Sequence, residues 1–265
     1  MAPRPRLEML WESADPAAAL TSRFGFVGED HAAAWLTDAL RDAWGLRVER
    51  CDRLVISASK LLAWLTVDGR CLIAKCAVDP TLFARLAEID ELIAWLHHEG
   101  LPVAAPLATT DGPRRLDRDR YSVGLYPVIG GDLLDVDDQD QVEAAGQTLA
   151  TLHRSLAAYP GELSGGQAQE GQQLVHGDFR SANILCADQI TAVLDFDEAS
   201  HRSRADELAR SAVLLGTRYH NWQPTPPATR KAFVAAYNDV WPLTGMEWKE
   251  YDLVVAAVAK HFGWT

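Results

Sequence analysis

The stretch Leu174–Asp197, LVHGDFRSANILCADQITAVLDFD, decides how the rest of the chain is read. Two short apolar runs, Asn183–Cys186 and Ile190–Leu194, flank the polar break Ala187-Asp188-Gln189. Apolar, partly β-branched runs around a three-residue polar break read as a β-hairpin. Asp178 lies in a loop five residues before Asn183, and Asp195 ends the second strand.

An Asp, a downstream Asn and a second Asp suit phosphoryl transfer from a nucleotide. One carboxylate accepts the proton of an attacking hydroxyl, while the Asn and the other Asp hold magnesium against the phosphates. Magnesium is a hard cation that prefers oxygen and shares its shell with phosphate and water. Asp178 is therefore the candidate catalytic base, and Asn183 and Asp195 are the candidate metal ligands. A single Asp or Asn here would read as an ordinary turn residue. The combination of His-Gly-Asp, an Asn five residues on and a strand ending in Asp-Phe outweighs that reading.

His176-Gly177-Asp178-Phe179-Arg180-Ser181-Ala182-Asn183-Ile184-Leu185, followed by Val193-Leu194-Asp195-Phe196-Asp197, resembles the aminoglycoside phosphotransferase family. These are small-molecule kinases with choline and homoserine kinase-like relatives. The resemblance runs from about Arg47 onward and is strongest between Gln141 and Leu215. Asp197 departs from it, standing where protein kinases carry the Gly of Asp-Phe-Gly. The resemblance implies an α+β, two-lobed protein-kinase-like fold, with an antiparallel N-lobe sheet, one main N-lobe helix and a mostly helical C-lobe. The expected boundaries are 1–124 for the N-lobe (with a helical extension over 1–46), 125–131 for a hinge and 132–265 for the C-lobe. Mg-ATP or Mg-GTP would sit between the lobes.

Composition agrees. A chain of 265 residues can bury a substantial core, and 48% hydrophobic with 23% charged residues is ordinary for a globular protein. The net charge of −12 leaves no basic footprint for nucleic acid and would favour a cationic substrate. Cys51, Cys71, Cys76 and Cys186 form neither a CxxC pair nor zinc-ligand spacing, which fits a reducing cytosol. The opening MAPRPRLEML lacks a signal-peptide layout, and no stretch is apolar enough to span a membrane. The expectation is a cytoplasmic enzyme, monomer or homodimer.

Residues 1–28 show no clear strand. From Glu29 to Trp44, apolar residues recur at helical spacing, with Gly45 as a stop. Strand-like runs follow at Val48–Ile56, Leu61–Val67 and Cys71–Lys75, with the hairpin signal Asp68-Gly69 between the last two. Ile56-Ser57-Ala58-Ser59-Lys60 lies where a kinase fold places its nucleotide-covering loop, but without Gly-x-Gly. The small side chains of Ser57, Ala58 and Ser59 would let backbone amides approach phosphate; a plain polar turn fits equally well.

Leu72-Ile73-Ala74-Lys75 resembles the strand that supplies the lysine for the α- and β-phosphates. An amphipathic helix is expected over Thr81–His98, carrying the glutamate that pairs with Lys75. Glu88 is favoured and Glu91 stays open. More strands are expected near Ala105–Thr109 and Tyr121–Tyr126, with Arg114–Arg120 a solvated turn. Leu125-Tyr126-Pro127-Val128 would be the hinge lining an adenine slot. Pro127 has no N–H, so Val128 is the expected donor to the base.

The acidic run Asp132–Asp140 reads as a solvated surface with a helix N-cap, or alternatively as a rim attracting ammonium groups. A helix from Gln141 carries His153 as a packing and hydrogen-bonding residue. Tyr159–Gln173 reads as a loop, in the region where the family often places its substrate-binding insertion. Asp206-Glu207-Leu208-Ala209 resembles the family's Asp-Leu-Ala motif, whose Asp supports the catalytic loop, so Asp206 takes that role. Helices follow at Arg230–Asn238 and from a capping box at Leu243-Thr244-x-x-Glu247. His220, Trp222, Trp241 and Trp248 are core residues or line a substrate cleft.

The sequence thus points to a kinase acting on a small-molecule hydroxyl acceptor. An aminoglycoside or other cationic antibiotic ranks first and a choline- or homoserine-like metabolite second. The rivals from other classes are an inactive kinase fold that only binds nucleotide and a magnesium-dependent hydrolase.

Overall fold

A computed structural model of the chain describes residues 4–164, 166 and 168–264. It forms two compact units, one of residues to Ala94 plus Ala105–Val128, the other of Trp95–Ala104 plus everything from Ile129.

The first unit is built on a six-stranded sheet. Its strands are β1 (Arg6–Met9), β2 (Val48–Ser57), β3 (Lys60–Val67), β4 (Arg70–Ala77), β5 (Arg115–Arg118) and β6 (Tyr121–Pro127), in the order β1-β2-β3-β4-β6-β5. All neighbours pair antiparallel except β1, which runs parallel to β2. The Asp68-Gly69 turn forms as its sequence predicts, with φ of +48° and +73° at the two residues, the conformation that a tight two-residue hairpin requires. Two helices, α1 (Pro16–Phe24) and α2 (Glu29–Trp44), cover one face, packing Leu20, Phe24, Leu36 and Leu40 against Leu54 and Ala74. Because side chains alternate along a strand, burial of Leu72, Ala74 and Cys76 in that cluster turns Ile73 and Lys75 to the opposite face. On that face, Asp90 of α3 (Phe83–His98) meets Arg115 and Tyr126.

Two expectations are corrected here. The strand anticipated at Ala105–Thr109 does not form. Pro106 cannot donate to a ladder, and only Leu107 N–H reaches across, to Leu125 O at 2.8 Å. The sheet edge is instead β5, inside the charged Arg114–Arg120 stretch expected to be a turn. The helical extension also contains strand β1, where no strand was expected.

The second unit is mostly helical, with α4 (Gln139–Ala158), α5 (Arg204–Leu214), α6 (Pro227–Val240) and α7 (Gly245–Phe262). Two small sheets join them: β7 (Asp132–Leu133), β9 (Ile184–Cys186) and β10 (Ile190–Val193) in one, β8 (Gln173–Val175) with β11 (Ser200–Arg202) in the other. Within the acidic run, Asp138 is the expected helix N-cap, accepting from the N–H groups of Asp140 and Gln141 at the start of α4. Thr244 and Glu247 form the expected capping box on α7. Of the Tyr159–Gln173 loop, Gly165 and Gln167 lie outside the described residues, and the rest reaches regular structure only at Gln173. Among the described residues no helix is long and apolar enough to cross a membrane.

Helices α4 and α6 approach closely at Gly146, where a Cβ would overlap the carbonyl oxygen of Phe233. Gly146→Ala should therefore lower stability by about 1–3 kcal/mol despite alanine's better helix propensity. The check is a urea unfolding curve, in which the midpoint falls and the slope holds.

Candidate active site

The hairpin read from the sequence forms, and its register sets the site. Ile184 pairs with Val193, so Asn183, just before β9, and Asp195, just after β10, emerge at the same end. Leu194 N–H donates to Asn183 O at 2.8 Å and locks the two segments together there. Asp195 adopts φ +62°, ψ +69°. This left-handed conformation is uncommon outside glycine and best tolerated by Asn and Asp; such residues concentrate at functional sites.

Asp178 sits 29% exposed in the preceding loop. One carboxylate oxygen accepts from Arg180 Nε at 2.7 Å and the other from Asn183 Nδ2 at 2.8 Å. Asn183 Nδ2 also donates to Asp178 O at 2.9 Å. With both amide protons committed to acceptors, the side-chain Oδ1 of Asn183 is left as the oxygen free to meet a cation. Asn183 and Asp195 therefore offer the neutral and anionic oxygen donors that suit magnesium. Among the described residues no group of three or more His, Cys, Asp or Glu side chains is placed to hold a metal. A pair of protein oxygens completed by phosphate and water is nonetheless how magnesium is commonly bound.

His176 fastens the loop from beneath. It is fully buried, accepts from Asp178 N–H at Nδ1 (3.2 Å), and meets Leu194 O through Nε2 (3.0 Å). The first bond requires Nδ1 to be an acceptor, so Nε2 carries the proton and donates to Leu194 O. One imidazole thus ties the backbone of Asp178 to the residue before Asp195. Gly177 is required beside it: its φ is +90°, and a Cβ there would overlap the carbonyl of Glu198.

The carboxylate that supports the loop is Glu207, not Asp206. Glu207 is 3% exposed and accepts from the backbone N–H groups of His176 (2.9 Å) and Gly177 while meeting His153 Nε2 at 2.7 Å. Burial alone would push its pKa up, but the His153 hydrogen bond, the two nearby imidazoles and the Gly177 amide overcome this and hold it below the ordinary value of 4.5. Asp206, one position earlier, is 17% exposed at its side chain and pairs with Arg210 instead of the loop. The Asp-Leu-Ala resemblance is thus satisfied one residue later, by Glu207-Leu208-Ala209. His153, on α4, is buried between Glu207 and the Tyr237 hydroxyl (2.8 Å), a bracing role as expected. Tyr237 continues to Arg204, which holds Glu247 at the start of α7.

Sequence reasoning missed Arg180. Beyond its bond to Asp178, its guanidinium lies 5.1 Å from the centre of the Trp222 ring, and its Nη1 is buried without a hydrogen-bond partner. Of the four aromatic residues weighed for a cleft, Trp222 thus lies against Arg180. Trp241 stacks under Arg204, and Trp248 packs on Tyr251. The signal for Arg180 was its place, two residues past Asp178 on the same loop.

The remaining candidates lie in the first unit. Lys75 projects from β4 with Nζ 5.1 Å from the Tyr126 ring centre. Glu88 is half-buried on α3, whereas Glu91 is exposed and pairs with Arg114 at 3.1 Å. The fully buried acid of this helix is Asp90, unremarked in the sequence. It accepts from Arg115 at 2.9 Å and from the Tyr126 hydroxyl. Burial raises its pKa, with Arg115 chief among the groups that oppose the rise. Ser57 and Ser59 flank a tight turn in which Ala58 has φ +41°. That turn is fastened from the N-terminal segment: Ala58 N–H donates to Glu12 at 3.0 Å, Arg23 to Ala58 O at 3.1 Å, and Trp11 to the Ser57 hydroxyl at 3.3 Å. Val128 N–H donates to Cys71 O at 3.2 Å, so the expected donor to a base is engaged within its own sheet.

Residues 162–248, which contain the loop and hairpin, match the model of the phosphotransferase enzyme family. Stress response kinase A of Salmonella choleraesuis (strain SC-B67) is 34% identical over 71 residues, 27% of this chain. The match covers about a fifth (21%) of that protein's length. Among solved structures, spectinomycin phosphotransferase in complex with ADP and spectinomycin aligns over 82% of both chains at 12% identity, with a TM-score of 0.61. The microcompartment-associated aminopropanol kinase aligns over 81% of this chain and 83% of its own at 15% identity, with a TM-score of 0.62. The family resemblance read from His176–Asp197 and the α+β protein-kinase-like fold are both borne out.

Proposed function

We propose, taking the phosphotransferase-family segment and the protein-kinase-like fold as premise, that this protein is a small-molecule kinase. It moves the γ-phosphoryl group of ATP or GTP to an acceptor hydroxyl. The hydroxyl oxygen bonds to the γ-phosphorus as the bond from that phosphorus to the β,γ-bridging oxygen breaks, and the nucleoside diphosphate leaves. The hydroxyl proton passes to Asp178 and then to solvent. Asn183 and Asp195 hold magnesium, which when bound supplies charge neutralisation on the phosphates. Lys75 adds positive charge at the α- and β-phosphates, with Glu88 positioning it. The turn at Ser57 and Ser59 covers the phosphates, and the strand end at Tyr126 and Val128 lines the base. Little covalent work is asked of the protein, because positioning and charge stabilisation carry most of such a reaction.

One observation carries this reading: Asp178 is fixed through both carboxylate oxygens, and one of the two groups fixing it is Asn183. A solvated turn acid would not be held from both sides. For the acceptor, the finer reading is an antibiotic-like alcohol, with a metabolite alcohol second. The solved relatives named above include one of each kind, spectinomycin and aminopropanol.

The test is mass spectrometry on a pooled panel of aminoglycosides, other antibiotics, choline, homoserine and aminopropanol, incubated with Mg-ATP or Mg-GTP. One acceptor gaining a phosphoryl group with wild type and not with Asp178→Asn is the expected result. Nucleotide binding without transfer to any acceptor would favour a binding module, and acceptor-independent phosphate release would favour a hydrolase.

A further inference from the structure

The six-stranded sheet turns at two-residue hairpins, and one of them is built unlike the others. Asp68-Gly69 joins Val67 to Arg70, Asp119-Arg120 joins Arg118 to Tyr121, and Ala58-Ser59 joins Ser57 to Lys60. The first residue of each is left-handed, with φ of +48° at Asp68, +55° at Asp119 and +41° at Ala58. Aspartate tolerates that conformation and can bond its own backbone, and glycine adopts it freely. Alanine does neither, because its Cβ crowds the following carbonyl. Ala58 is also exposed, so core packing does not hold it. It is held from the β1–α1 segment. Leu10 N–H donates to Ile56 O at 2.8 Å, which carries the end of β1 along β2 and delivers Trp11 and Glu12 to the turn. One oxygen of Glu12 accepts from Ala58 N–H at 3.0 Å and from Arg23 Nη1 at 3.0 Å. The same Arg23 nitrogen donates to Ala58 O at 3.1 Å. A single ion pair therefore brackets both backbone groups of Ala58. Arg23 Nη2 meets the other Glu12 oxygen and makes the pair bidentate, and Trp11 Nε1 bonds the Ser57 hydroxyl at 3.3 Å.

We propose that the β1–α1 segment is a clamp for the nucleotide-covering turn, with Glu12 and Arg23 as its positioning residues. They act through the backbone of Ala58, not on the reacting groups. The inference rests on the reading that the turn at Ser57 and Ser59 covers the phosphates, and it gives the segment before β2 a part in nucleotide binding. A turn without glycine is kept in its working shape by an ion pair outside it. A turn fixed in advance pays no ordering entropy when nucleotide arrives. Without the clamp, Ala58 relaxes to right-handed or extended backbone, which is favoured about tenfold over the left-handed form. Apparent affinity then falls by the fraction of molecules that keep the working shape.

The test is calorimetry with Mg-AMP-PNP on the whole chain, paired with hydrogen exchange over residues 57–60 in the absence of nucleotide. Glu12→Gln should weaken nucleotide binding by about tenfold and speed exchange in the turn. The side chains of Glu12 and Arg23 are 20% and 32% exposed, so this variant should fold; Arg23→Gln is the second variant and should act in the same direction. An Ala58→Gly background separates positioning of the turn from general support of the fold. Glycine adopts the left-handed conformation at little cost, so Glu12→Gln should lose much less nucleotide affinity there. Unchanged exchange, unchanged nucleotide affinity, or an equal loss of affinity in both backgrounds would overturn the proposal and leave the kinase reading standing. A wild-type chain that binds no Mg-AMP-PNP would instead remove the kinase reading, and the clamp's part in nucleotide binding with it.

Discussion

Asp178→Asn should lower phosphoryl transfer by about 10²–10⁴-fold, the usual range for a positioned general base. Nucleotide affinity should change little. The asparagine keeps the shape of the side chain but cannot accept the hydroxyl proton. It also presents an amide N–H₂ to a place where Arg180 and Asn183 both donate, so one of the two bonds at 2.7 and 2.8 Å must break. That loss costs about 1–3 kcal/mol locally. A melting curve recorded beside the kinetics will separate it from the chemical effect. Asp195→Ala should behave differently: on the proposed assignment it deletes the anionic metal ligand, and it should weaken Mg-nucleotide binding as well as turnover. Equal loss of nucleotide affinity in the two variants, measured by calorimetry with Mg-AMP-PNP, would sink this division of roles.

The second large effect belongs to Glu207. Glu207→Ala leaves His153 and two backbone N–H groups facing a void, and should destabilise the fold by about 3 kcal/mol or more, because several buried groups lose their partner at once. Glu207→Gln keeps the volume and removes the charge, so it isolates the electrostatic part. The folded carboxylate sits below its ordinary value of 4.5, so the unfolded chain binds the proton more readily. Glu207 therefore contributes stability that is fully present above about pH 4.5 and is lost as pH falls through the depressed folded value. Asp90 pulls the other way, since burial raises its pKa and its ionised form weighs against folding above the ordinary range. The informative quantity is accordingly the difference between wild type and Glu207→Gln in urea unfolding. It should be large at pH 7 and should shrink on acidification; a difference independent of pH would contradict the linkage.

Legibility followed the strength of local signals. Helix α2 ends where its apolar period meets Gly45, and the β3–β4 hairpin turns at Asp68-Gly69, because both are fixed by residues a few positions apart. The loop and hairpin from His176 to Asp195 were legible for the same reason. Strand β5 was not. Its Arg-Leu-Asp-Arg sequence lacks an apolar run, and it is held by pairing with β6 and by Arg115 reaching Asp90, partners 25 positions apart in the chain. Strand β1 similarly depends on β2, more than forty residues away, for its ladder. The Asp-Leu-Ala resemblance points to Asp206 instead of Glu207, because helical phase, not residue type, decides which of two adjacent acids turns inward. Arg180 could have been flagged by position, but its unpaired Nη1 is a product of tertiary packing.

The shared exit of Asn183 and Asp195 from one hairpin has a consequence for how this segment can vary. The separation of the two residues is set by strand register at one end, while the exposed turn Ala187-Asp188-Gln189 closes the other. Residues can be inserted or exchanged in that turn without altering the spacing, since surface loop tips absorb length changes well. A single insertion inside either strand would move one residue of the pair to the opposite face. The hairpin therefore works as a gauge block with a free handle: its tip is open to drift or to a grafted label, and its two working ends are not.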